Sequence, residues 1–222
     1  MTTPTIRPFT AADLDDVVRI AAEGDASDVG PAYLEHVARV GSLRVAVGAG
    51  GRTVAFGGVV AVHTLDGPAA MVTDLFVEQS ARGAGVGTAL LGHLLDGHRA
   101  RMTCSSAHPA ALPVYRAAGM TPVGRLLYLA GHGRAQGGAA NEGVVTVRRV
   151  RATHPGEAVS LVGRVLDGLP ASTRVELHVP EWHPLVEWLT AQGFVEFDRD
   201  IVCTTPGLRL DPAMAVVSPG LW

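Results

Sequence analysis

Gly83, Gly85 and Gly87 fall at alternate positions in the stretch Asp74-Leu75-Phe76-Val77-Glu78-Gln79-Ser80-Ala81-Arg82-Gly83-Ala84-Gly85-Val86-Gly87-Thr88. An apolar strand there runs into a glycine-rich turn and then a helix. Glycines at that spacing let the backbone approach a ligand closely, and a helix beginning at the turn offers unpaired N–H groups and a positive dipole end. Such a stretch cradles an anion. Two familiar cradles are excluded. All 18 basic residues are arginine, so a phosphate loop ending in Gly-Lys-Ser/Thr is impossible, and so is a lysine Schiff base. A dinucleotide fingerprint G-x-G-x-x-G would need glycine where Thr88 stands.

Other chemistries find less support. The 9 histidines show no H-x-x-x-H spacing and no Cys/His cluster, so no metal is expected. Cys104 and Cys203 both sit in apolar, strand-like runs and read as buried thiols, not a disulfide. The net charge of −3 is shared evenly between the two halves of the chain, which argues against nucleic acid as a partner. No apolar run approaches the roughly 20 residues of a membrane span, and the Thr/Pro-rich start lacks the features of a signal peptide. A cytoplasmic protein is expected.

The elements that must position the cradle can be read in order. Ile6 to Phe9 is a short edge strand, and Thr10 with Asp13 forms a capping pair for a helix carrying Leu14, Val17, Val18 and Ala21. Pro31 opens a second helix with Leu34 and Val37 inward. Between residues 13 and 35 stand seven acids and one basic residue, Arg19, read as a solvated face or as a rim attracting cationic amines. Strands follow at Leu43–Val47, Thr53–His63 and Ala70–Val77, then a helix from Gly85 to Asp96, a strand at Arg101–Ser105, a helix from Pro109 to Gly119 and a strand at Val123–Leu129. This is an α+β pattern: a mixed central sheet with helices on both faces.

Residues 131–143 form a flexible glycine-rich linker between a first domain, 1–130, and a second, 144–222. The second is a smaller β-α-β-α-β unit that echoes the first. Leu161-Val162-Gly163-Arg164-Val165-Leu166-Asp167-Gly168 matches Leu90 to Gly97 in helical pattern, and His183 to Phe194 echoes His108 to Met120. On that alignment Thr153 to Ala158 replaces the cradle, with Pro155 removing a donor and Glu157 repelling phosphate. This degenerate half should not bind the ligand of the first cradle; covering the substrate cleft, completing a sheet or forming a homodimer surface with Leu208 to Trp222 are its expected uses.

Arg82-Gly83-Ala84-Gly85-Val86-Gly87 resembles the Q/R-x-x-G-x-G/A signature of the GCN5-related N-acetyltransferase (GNAT) family. His108-x-x-Ala111-x-x-x-Tyr115-x-x-x-Gly119-Met120 resembles that family's second motif, N-x-x-A-x-x-x-Y-x-x-x-G-F, with His108 where asparagine is usual. The resemblance implies an acyl-CoA N-acyltransferase fold and acetyl-CoA as co-substrate. It implies that main-chain groups of Arg82, Gly83, Ala84, Gly85, Val86, Gly87 and Thr88 hold the coenzyme A pyrophosphate. Leu75, Phe76 and Val77 would pair with the pantetheine arm between splayed strands ending near Val77 and Ser105, and His108 would stand beside it. The Val77 N–H would face the thioester oxygen. Tyr115 falls at the family's general acid, though its spacing from Ala111 and Gly119 also suits a core tyrosine. The proton acceptor is left open: Asp74 is the leading side chain, which could instead bind the substrate ammonium, with Glu78 and His63 behind it and a water chain an equal alternative.

The expected activity is transfer of an acetyl group from acetyl-CoA to a primary amine of a small molecule or peptide. The alternative is a non-catalytic acyl-CoA-binding or partner-binding module.

Overall fold

The computed structural model describes residues 4–24, 26, 29–106, 109–135 and 143–217. The chain enters through β1 (Thr5–Pro8), passes a short 3₁₀ turn into α1 (Leu14–Glu23) and α2 (Pro31–Val40), and then forms the meander β2 (Gly41–Val47), β3 (Thr53–Thr64) and β4 (Gly67–Val77). The helix α3 (Val86–Leu94), β5 (Arg101–Ser105), α4 (Ala111–Ala117) and β6 (Thr121–His132) complete the first half. The second half contributes β7 (Val144–Val147), β8 (Arg149–Arg151), α5 (Pro155–Asp167), β9 (Arg174–Pro180), α6 (Leu185–Ala191), β10 (Val195–Thr204) and β11 (Met214–Val217). The element order expected through residue 130 is the one observed; β7, β8 and β11 are too short and too irregular in pattern to be read from the sequence.

Nine strands make one mixed sheet in the order β1-β2-β3-β4-β5-β10-β6-β9-β7, while β8 and β11 pair apart. The second half is therefore not a separate layer. Its penultimate strand, β10, lies between β5 and β6, antiparallel to both, with Val202 opposite Cys104 on one side and Asp200 opposite Leu126 on the other. On either side of the β10–β6 pair the pattern repeats in mirror order, since β4–β5 and β7–β9 are the two parallel pairs. The halves interlock at the centre, with β10 of the second pairing with β5 of the first and β6 of the first pairing with β9 of the second.

Apolar side chains alternate along the strands and fill both faces of the sheet. One face packs Phe56, Met71, Met102, Leu126 and Val202 against Val17, Ile20, Leu34 and Val37 of α1 and α2. The other is covered over β2–β5 by α3 and α4, through Leu90, Leu91, Leu94 and Tyr115. Over β6 and β9 it is covered by Ala158, Val162 and Leu166 of α5 and Leu185 and Leu189 of α6. Cys104 and Cys203 are both free thiols, the former half-buried. Among the described residues no helix is long and apolar enough to cross a membrane.

The start of the chain is locked by a carboxylate. Asp13 is buried and accepts two 2.7 Å hydrogen bonds from the Arg7 guanidinium, one of 2.8 Å from Thr53 Oγ1, and bonds of 2.9 and 2.8 Å from Thr10 N and Oγ1. The capping pair read from Thr10 and Asp13 is thus one part of a larger clamp that ties β1 to β3. Arg7 above all holds the Asp13 carboxyl far below the usual range, with the Thr53 and Thr10 bonds adding to it and burial opposing. A carboxylate with a depressed folded pKa contributes stability that is complete above its unfolded value of about 3.9 and is lost as pH falls toward its folded value. Asp13→Ala, which strands these donors, is expected to cost about 2–3 kcal/mol in urea unfolding at pH 7. The deficit should shrink at pH 3; an equal deficit at both pH values would contradict the clamp.

Candidate functional site

The site begins with a fault in the sheet. Gly58 faces Asp74 and Val59 faces Val72, so Thr73 is an extra residue bulged from β4. A bulge bends its strand and ends regular pairing. Here β4 pairs with β5 only at Ala70–Arg101, Met71–Met102 and Val72–Thr103. Beyond that point β4 stays with β3 through Val77, β5 stays with β10 through Ser105, and the two part. The fault fits because Gly57 and Gly58 stand opposite it: a Cβ on Gly58 would lie 2.5 Å from Thr73 Oγ1 and 3.2 Å from Asp74 Oδ2. Paired glycines within an otherwise apolar strand are the sequence signal for such a bulge.

Backbone groups along a strand point alternately to either side. Glu78 N–H donates to Val54 O of β3 at 2.8 Å, so the N–H and C=O groups of Val77 and Leu75 turn the other way, into the opening. The Val77 carbonyl accepts a 2.9 Å hydrogen bond from Arg82 Nε, which ties the strand end to the turn that follows.

That turn is built on left-handed backbone at Gly83 (φ 75°) and Gly85 (φ 79°), conformations that other residues adopt only with strain. Gly85 is the N-cap of α3, no side chain caps the helix, and its first internal bond runs from Ala89 N to Gly85 O. The N–H groups of Val86, Gly87 and Thr88 therefore have no partner within the helix. They border a groove of about 680 Å³, lined also by Leu75, Phe76, Val77, Arg82, Gly83, Gly85, Ala111 and Tyr115. Ala84 lies in the exposed turn between the two glycines. Glu23 and Gly24, at the end of α1, close one side of the groove, a contribution with no local signal in the sequence.

Tyr115 sits at the inner end, 6% exposed, on α4. Burial pushes its hydroxyl up to about 12, against a hydrogen bond with Thr103 and with the negative charges of Asp74 and Asp200 adding to the rise. Asp74, next to the bulge on β4, is buried and accepts a 2.6 Å hydrogen bond from Tyr33 Oη of α2, a partner that sequence spacing did not reveal. The other proton acceptors fare differently. Glu78 is taken up by Arg52 and Arg19, the nearer pair at 2.5 Å. His63 pairs with Pro68, nine residues along β4 from Val77 and thus about 30 Å away, outside the site. His108 lies outside the described residues.

Much of the acidic run at the start of the chain is neutralised: Asp13 by Arg7, Asp16 and Glu23 by Arg19. In the second half, α5 begins where the alignment put the failed cradle, and its N-terminus is closed by its own side chains. Glu157 N donates to His154 Nδ1 at 3.1 Å, and the Glu157 carboxylate accepts from Thr153 N and Oγ1 at 2.7 Å each. Among the described residues no group of three or more His, Cys, Asp or Glu side chains is placed to hold a metal ion.

Comparison with known proteins agrees with this geometry. No curated protein sequence matches the chain. Among solved structures, an acetyltransferase of Pyrococcus horikoshii overlays 100% of this chain on 97% of its own with a TM-score of 0.74 at 12% identity, which shows that the whole architecture, inserted β10 included, is a shared fold. A phosphinothricin acetyltransferase of Sinorhizobium meliloti, solved with AcCoA, covers 57% of this chain and 79% of its own at 23% identity and a TM-score of 0.48. The ribosomal-protein-S18-alanine N-acetyltransferase of Escherichia coli covers 55% and 80% at 22% identity and a TM-score of 0.42. The model of the acetyltransferase (GNAT) family matches residues 17–120, from α1 to the end of α4. Over that stretch, just under half of the chain, the sequence matches the GNAT acetyltransferase family.

Proposed function

We propose that the chain transfers an acetyl group from acetyl-CoA directly to a primary amine of a small molecule or peptide. The observation that carries the reading is the opening between β4 and β5, with uncapped helix donors at one end and a buried tyrosine at the other. A pyrophosphate suits the N–H groups at Gly83 to Thr88, which need neither lysine nor metal to bind it. The extended pantetheine arm suits the outward-facing backbone of Leu75 to Val77, where it would take the place β5 has vacated.

In this reading acyl transfer has three requirements. The thioester oxygen gains charge as the amine attacks, and the Val77 N–H, fixed in the strand, is directed at it as an oxyanion donor. The amine must shed a proton, and Asp74, held by Tyr33, receives it or orients the ammonium before loss. The departing sulfur needs a hydrogen-bond donor. A coenzyme thiol titrates near the ordinary thiol value of about 8.5, so a phenol at about 12 stays protonated throughout the working range and solvates the thiolate by hydrogen bonding. Full proton transfer from so weak an acid would be uphill. His108 is assigned to the pantetheine arm from its place in the second motif alone. The C-terminal half, taken as a degenerate half-copy, completes the sheet and carries no second cofactor site. The reading as a mere acyl-CoA-binding module would use the same cradle but has no use for a buried hydroxyl at the end of the groove.

Tyr115→Phe is expected to leave acetyl-CoA affinity within about twofold while lowering kcat at least about tenfold. Unchanged kcat would remove the tyrosine from the mechanism. Because a raised phenol pKa loses its proton only as pH climbs through about 12, wild-type kcat should rise as the acceptor amine deprotonates, with no falling limb from Tyr115 below pH ~10. A falling limb near pH 8 that disappears in Tyr115→Phe would contradict the assignment. Thiol release from acetyl-CoA measured against polyamines, aminoglycosides, amino acids and peptides tests the activity itself; no release with any of them would favour the binding module.

A further inference from the structure

The face of the sheet that packs on α1 and α2 carries a second tyrosine–carboxylate pair. Tyr128 Oη on β6 donates to Asp200 Oδ2 on β10 at 2.6 Å, the same length as the Tyr33–Asp74 bond on the β4 side. Asp74 stands on the bulged edge of β4, and Asp200 on β10, which pairs with the other edge of β5 and passes its end at Ser105. Tyr33, Cys104 and Tyr128 all pack against the core on this face, so the two pairs share one face of the sheet on either side of β5.

Around Asp200 the surface is apolar below and acidic at the rim. Tyr128 stacks on His178 with ring centroids 4.0 Å apart and an interplanar angle of 17°, and Phe197, bulged from β10, leans on Tyr128 at 6.1 Å. Asp198 faces Tyr128 across the strands, Cys104 lies beside them on β5, and Arg174, the nearest cation of β9, is held by Glu176 at 2.8 Å. Among the described residues neither Asp198 nor Asp200 forms an ion pair. His178 Nδ1 is buried without a hydrogen-bond partner, and burial lowers that imidazole's pKa, so it supplies no compensating charge. Burial and the neighbouring Asp198 raise the Asp200 carboxyl, opposed by the Tyr128 bond. A half-buried acid next to another acid is destabilising unless a cation joins it.

The spacing selects the kind of cation. Two strand steps of about 4.8 Å separate β4 from β10, so the carboxylates stand roughly 10 Å apart or more, too far for one ammonium to touch both. Two nitrogens joined by a short hydrocarbon chain can meet one each, with the chain lying on the aromatic floor. We propose that Asp200, held by Tyr128, binds a second ammonium group of the acceptor, so that the substrate is a diamine or polyamine. This rests on the acetyl-transfer reading above and assigns β10, and with it the C-terminal half, the choice of acceptor.

The experiment pairs 1,4-diaminobutane with butylamine. Wild type should prefer the diamine in kcat/KM, and Asp200→Asn, which keeps an acceptor for Tyr128 and removes the charge, should reduce that preference about tenfold, chiefly through the diamine KM. An undiminished preference, or none in wild type, overturns the proposal. Calorimetric binding of 1,4-diaminobutane to the coenzyme A-loaded full chain gives a readout without turnover. Asp200→Asn should weaken binding at least about tenfold; equal binding by both proteins, or by neither, overturns the assignment. Asp200-dependent binding without any thiol release would leave the diamine site standing and remove the acetyl-transfer reading instead.

Discussion

One extra residue in a strand governs the rest of the molecule. Thr73 has no partner on β3, and from that point β4 and β5 separate, so a sheet that is continuous at its base is open at its upper end. Unpaired strand edges inside a protein are costly unless something satisfies them. In the proposed reading the opening is where the ligand enters, and it suits one that is extended, pairs with backbone on one side and ends in an anion held at the uncapped N-terminus of α3. The glycines of β3 are part of the same device, because any side chain at Gly58 would collide with the bulge.

The opening is also bounded by the second half of the chain. Without β10, β5 would end as an exposed edge next to the site; with it, β5 is held on one side and free on the other, and the fault in the sheet stays local. The pairings of β10 with β5 and of β6 with β9 make the two halves share one sheet. They also put Cys203 of β10 in the same buried core as Tyr115, so a half lacking any anion cradle still packs against the site.

How much of this could be read from residues follows from the range of the interactions. The strand-turn-helix of Asp74 to Thr88 was legible because its determinants are local: left-handed glycines, an apolar strand before them and a helix pattern after. The Thr10–Asp13 capping pair was legible for the same reason. The partners of those residues were not. Arg7 and Thr53 on Asp13, Tyr33 on Asp74 and Tyr128 on Asp200 lie on other elements, and side-chain identity says nothing about which strands become neighbours. The insertion of β10 is the clearest case: a repeat of β-α-β-α-β reads as a unit of its own, and only the pairing of Ile201 with Ser105 and Arg125 reveals that its last strand belongs to the other half.

The central claim is that coenzyme A occupies the opening left by the bulge, with its pyrophosphate on the first turn of α3. Amide hydrogen exchange on the full chain with and without coenzyme A addresses it directly, because the groups invoked are themselves backbone N–H groups. The account predicts slowed exchange at residues 75–77 and 83–88 and none at the start of α5 around residues 154–158. Protection at α5 instead, or none in the two predicted segments under saturating coenzyme A, would contradict it.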